Sequence, residues 1–118
     1  MYYHIADEEN KMKMITAIIE ERDGDHTIKA LNKEGFYCTK LAATGGFLKK
    51  SNLTILIGCE DEAVNSAIEI IKREAGRRSE ERLYISGQGN MKGVSPTVPT
   101  VVGGCTLFVT DIIQFVKA

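Results

Sequence analysis

A chain of 118 residues has room for one compact domain with a hydrophobic core and little else. Its 43% apolar and 26% charged residues are the balance of a soluble globular fold, and a formal net charge of -1 excludes a protein dominated by nonspecific binding to nucleic acid polymers. Three widely spaced cysteines, Cys38, Cys59 and Cys105, with only His4 and His26 beside them, offer neither a disulfide framework nor metal-ligand spacing, so no metal is expected. They read as reduced small hydrophobes, and with no apolar run of membrane-spanning length the expected location is the cytoplasm.

Residues 1–11 fit neither strand nor helix well and are expected to form a flexible N-terminal extension ahead of a single domain over 12–118. From Met12 to Glu20 the chain is apolar on both faces, as a central strand requires. Asp23-Gly24-Asp25 then offers helix-capping carboxylates, and Ile28 and Leu31 mark a short helix that stops at Gly35. Two strands follow, Tyr37 to Ala43 and Leu53 to Ile57. Glu60-Asp61-Glu62 opens a second helix, where negative charge complements the helix dipole. Its stripe of Val64, Ala67, Ile68, Ile71 and Ala75 closes at Gly76.

The stretch from Arg77 to Thr100 is the least regular and reads as a long loop, with the Gly87 to Gly93 run and both prolines, Pro96 and Pro99. Its glycine spacing, Gly-x-Gly-x-x-x-Gly, away from any strand-to-helix turn, excludes a Rossmann fingerprint. Its arginines alternate with glutamates, the pattern of a mutually neutralising surface. A last strand enters through Gly103-Gly104 and runs to Val109, and the tail from Asp111 is a short helix or an added strand. The order β-α-β-β-α-loop-β predicts an α+β, ferredoxin-like split β-α-β sandwich.

Between the two middle strands lies a glycine corner. Gly45 and Gly46 admit positive φ and close approach to the main chain, with Thr44 and Phe47 beside them and Lys40, Lys49 and Lys50 supplying a positive field. Such a corner suits an anionic ligand with a flat ring; its plainer reading is a turn with Phe47 in the core.

Thr39-Lys40-Leu41-Ala42-Ala43-Thr44-Gly45-Gly46-Phe47-Leu48, followed by Asn52, Thr54 and Gly58, resembles the signature of the PII-like cyclic di-AMP receptors, and Val102 to Val109 resembles their last core strand. The resemblance implies a non-enzymatic signal transduction protein without a cofactor, a homotrimer that binds cyclic di-AMP in inter-subunit clefts and acts on a downstream protein. It implies that Thr39 hydrogen-bonds the ligand, that Gly46, Phe47 and Leu48 meet phosphate and base, that Asn52 reads an adenine edge and that Gly58 allows close approach. Cys38 and Gln114 are weaker contacts on the same grounds. Tyr37 stands where the family often has a basic residue, and Ala43 where it has Thr, which leaves ATP or ADP open as the ligand. A non-sensing structural or metal-tolerance trimer is a further alternative. An enzyme using Cys38 or Cys59 as nucleophile would need His26 as its base.

Overall fold

The computed structural model describes residues 2–5, 11–42, 52–83 and 97–118. Among these residues, eight strands and two helices follow in the order β1 (Tyr2–Ile5), β2 (Met12–Glu20), α1 (Gly24–Lys33), β3 (Cys38–Ala42), β4 (Asn52–Glu60), α2 (Val64–Ala75), β5 (Arg78–Leu83), β6 (Thr97–Val102), β7 (Cys105–Asp111) and β8 (Gln114–Lys117). A short 3-10 turn precedes each helix, Glu21–Asp23 before α1 and Asp61–Ala63 before α2.

The central sheet is antiparallel in the order β3-β4-β2-β7. With two helices in a β-α-β-β-α-β order, this is the ferredoxin-like fold. Strand periodicity sorts its residues. Ile15, Ala17 and Ile19 of β2 and Leu53, Ile55 and Ile57 of β4 are buried, and they form one core with Leu31 of α1 and Ala67, Ile70, Ile71 and Ala75 of α2. Burial of that face is what fixes the register, because a one-residue slip would expose every one of these side chains.

α1 ends as its glycine predicts. Gly35 has φ 89°, its N–H donates to Asn32 O at 3.0 Å, and Phe36 N–H donates to Leu31 O at 3.0 Å, so two carbonyls at the helix end are satisfied by a left-handed residue. The N-termini differ from expectation. Neither Asp23 nor Glu60 makes a side-chain capping bond. Asp23 is instead turned inward, and the 3-10 turn Asp61–Ala63 stands between Glu60 and α2, leaving Ala63 at the N-cap position.

The connection expected to be irregular carries a ribbon at its base. Arg78–Leu83 pairs with Thr97–Val102, with Arg78 opposite Val102 and Glu81 opposite Pro99. The tail from Asp111 resolves as the strand β8, which pairs with β1 from Ile5 opposite Gln114 to Tyr2 opposite Lys117. No helix among the described residues is long and apolar enough to cross a membrane.

Candidate functional site

Residues paired across an antiparallel ladder share a face of the sheet. Thr39 pairs with Leu56 and Leu41 with Thr54, and Asn52, Thr54, Leu56 and Gly58 alternate with the buried residues of β4. Thr39, Asn52 and Gly58 therefore lie on the face of the sheet opposite the helices. Met14, Thr16, Ile18, Thr106 and Phe108 share that face through the pairings of β2 with β7. Phe108 is 53% exposed and Leu41 46% exposed, so the apolar part of this face is uncovered in a single chain.

The predicted contacts fall at two ends of the sheet. Asn52 opens β4 opposite Glu20, at the end where residues 43–51 connect β3 to β4. Gly58 lies six residues further, about 20 Å along an extended strand. There an added Cβ would meet Ile112 Cδ1 at 3.8 Å, and Ile112 N–H donates to Met12 O at 3.1 Å, so Gly58 neighbours the corner that leads to the exposed Gln114. Gly46, Phe47 and Leu48, with the rest of the glycine corner, lie outside the described residues.

Cys38 faces the other way. It pairs with Ile57 and packs partly buried against the core, its thiol 4.0 Å from Phe36 O. Burial pushes the Cys38 thiol up from its ordinary pKa, and burial followed by the charges of Glu60 and Asp61 does the same for Cys59. Both are poor nucleophiles in this setting. His26, the base such a nucleophile would need, is held elsewhere.

That place is a ladder of alternating charges at the Asn52 end. Arg22 Nε lies 3.1 Å from Glu20 and its Nη2 donates to Glu80 Oε2 at 2.9 Å. Arg78 Nη2 lies 3.6 Å from the same Glu80 and grips Asp23 bidentately, Nη2 to Oδ1 at 2.8 Å and Nη1 to Oδ2 at 3.2 Å. His26 Nε2 sits 3.0 Å from Asp23 Oδ1 and Nδ1 3.4 Å from Glu74 Oε1, and Arg73 closes the row on Glu74 at 3.1 Å. Carboxylates only accept, so a ring nitrogen of His26 can serve either contact only as a donor.

Asp23 is only 1% exposed. Desolvation alone would raise its pKa, but the hydrogen bonds from Arg78 and His26, reinforced by their charges, outweigh it and hold the carboxyl below its usual range. The same contact raises Arg78. A cavity of about 580 Å³ opens beside this ladder, between Glu20 at the end of β2, Glu21 and Arg22 on the turn, and Arg82, Thr100 and Val102 on the ribbon. Sequence reasoning placed Asp23 in a cap and Arg78 on a solvated surface; nothing local to either residue signals a partner more than fifty positions away.

A crystal structure of a functionally unknown protein from Pediococcus pentosaceus ATCC 25745 superposes with a TM-score of 0.74 at 29% identity, covering 92% of this chain and 99% of that one. The crystal structure of Arabidopsis thaliana PII bound to citrate is similar at a TM-score of 0.45 and 18% identity, covering 85% of this chain and 79% of that one. The family match runs over residues 12–118, everything after Lys11, and it places the chain in the cyclic-di-AMP receptor family.

Proposed function

We propose that this chain is a PII-like signalling protein that assembles as a homotrimer through the open face of its sheet and holds cyclic di-AMP in the clefts between neighbouring protomers. The observation that carries the reading is the shared face of Thr39, Asn52 and Gly58 beside the uncovered Leu41 and Phe108. An apolar sheet face of this kind is covered when sheets pack on one another. A further support is distance. Asn52 and the Gly58–Gln114 corner sit at opposite ends of one protomer, and they form a single compact site when one protomer's end meets its neighbour's other end.

In that cleft Thr39 donates or accepts a hydrogen bond, Asn52 presents a donor and an acceptor to an adenine edge, and Gly58 leaves its main chain approachable. Gly46, Phe47 and Leu48 supply amides and a ring to phosphate and base, with Gln114 as a lesser contact, while the core-facing Cys38 stays out of the cleft. Ligand contact reorders the 77–100 region, which then presents or hides a surface for a downstream protein. The role is binding and not catalysis, and it is exercised in the cytoplasm.

Calorimetry of the purified chain against cyclic di-AMP, ATP and ADP tests the ligand. Saturable heat with cyclic di-AMP alone is expected. Binding of ATP or ADP in its place would favour the second reading, which Tyr37 motivates: it is 89% exposed where the family often carries a cation. Absence of any nucleotide binding by a folded trimer would leave only the structural assembly.

A further inference from the structure

The ladder of charges joins the end of β2 that pairs with Asn52 and the buried start of α1 that follows it to the root of the β5–β6 ribbon, more than fifty positions further along the chain. Its centre is Arg78. Two guanidinium nitrogens are committed to the buried Asp23, and Nη1 also donates to Gly76 O at 3.2 Å. Room for that arrangement is made by Gly103, which has φ 78°. A Cβ there would sit 2.5 Å from Gly76 O and 2.6 Å from Arg78 Nη1, so any other residue would push the guanidinium out of place. The outer rung runs from Glu80 of the ribbon through Arg22 to Glu20, the cross-strand partner of Asn52.

A two-stranded ribbon has little stability of its own in water. Its orientation is therefore set by what grips its root, and here the grip is ionic. The one fully buried carboxylate of the ladder is Asp23, and a bidentate fork on a buried carboxylate fixes direction as well as distance. Lysine in place of Arg78 would keep the charge and lose the fork.

We propose that Arg78, held by Asp23, is a positioning residue for nucleotide binding: it fixes the β5–β6 ribbon against the end of the sheet that carries Asn52. This rests on the receptor reading above. Arg78 touches no ligand in this scheme. It acts by keeping the ribbon oriented before the nucleotide arrives, so that less ordering remains to be done on binding.

The test combines hydrogen exchange and calorimetry on the full chain, comparing wild type with Arg78→Lys, Asp23→Asn and the milder, more exposed Glu80→Gln. In Arg78→Lys and Asp23→Asn, amides of Arg78–Leu83 and Thr97–Val102 are expected to exchange about tenfold faster while β2 and β4 keep their protection. Affinity for cyclic di-AMP should fall about tenfold with unchanged stoichiometry, and Arg78→Lys with Asp23→Asn together should lose little more than either alone, because they cut one link. Glu80→Gln, which keeps the Asp23 grip, should show the same pattern more weakly. A loosened ribbon with unchanged affinity would reduce Arg78 to a structural role, and an unchanged ribbon would overturn the proposal outright. If wild type itself fails to bind cyclic di-AMP, the receptor reading falls with the binding half of the proposal, and the exchange data alone decide whether Arg78 fixes the ribbon.

Discussion

Replacing Phe108 with aspartate should separate the protomers without unfolding them. Phe108 is on the open face, opposite Thr16, and it is 53% exposed in a single chain. A phenylalanine side chain buries roughly 200 Å² when fully covered, so about 100 Å² remains for a neighbour to cover. At about 25 cal/mol per Å² that is roughly 2.5 kcal/mol for each protomer and about 7.5 kcal/mol for a closed trimer. Every 1.4 kcal/mol is about tenfold, so loss of the ring alone would weaken trimer formation by roughly five powers of ten. Bringing carboxylates together where the sheets meet adds to the loss. Sedimentation velocity at micromolar concentration reads the outcome directly, with circular dichroism to show that the sheet persists. Phe108→Asp that still sediments with the wild-type trimer would refute this use of the open face, as would a wild type that is monomeric throughout.

Asn52→Ala should weaken cyclic di-AMP binding by roughly ten- to a hundredfold in calorimetry, with little change in melting temperature because Asn52 is only half-buried. Asp23 gives a pH dependence of fixed sign. Its folded pKa is depressed, so its stabilising effect is present above the unfolded carboxyl value of about 3.9 and is lost as pH falls through the folded value; urea midpoints should fall more steeply with acid in wild type than in Asp23→Asn. Gly103→Ala should cost roughly 2 kcal/mol or more in thermal unfolding, since alanine resists φ 78° and its Cβ would meet the Gly76 carbonyl. Thr27→Val should gain roughly 1 kcal/mol, because the buried Thr27 hydroxyl has no hydrogen-bond partner among the described residues and a methyl of the same shape needs none.

How much of this was legible in the chain follows from where each residue's partner lies. The β2 and β4 strands are written in their own composition, because the residues that alternate onto the core face, Ile15, Ala17 and Ile19 and Leu53, Ile55 and Ile57, have to be apolar. α1 and α2 carry helical stripes that meet the same core, and α1 ends at Gly35 through bonds that reach back only three to five residues. Each of these signals is local. The ribbon is not, since Arg-Ser-Glu-Glu-Arg-Leu has no apolar alternation, and it becomes a strand only because Thr97–Val102 lies against it. Pro99, read as a mark of irregular chain, fits there because each strand of a two-stranded ribbon is an edge with one row of backbone groups unpaired. β8 owes its form to β1 in the same way.

The site divides along the same line. Thr39, Asn52 and Gly58 follow from a contiguous motif, and strand periodicity then carries them to one face. Asp23 and Arg78 belong to no contiguous motif. An aspartate before a glycine and a helix has the composition of a cap, and a cap is what short-range chemistry supports. Burial reverses that outcome. Once Asp23 is enclosed, a carboxylate without a cation would be costly, and the arginine that meets it must come from whichever segment the fold brings over it. That segment is the root of the ribbon, and the need to neutralise one buried charge is thereby turned into a fixed angle between the ribbon and the sheet.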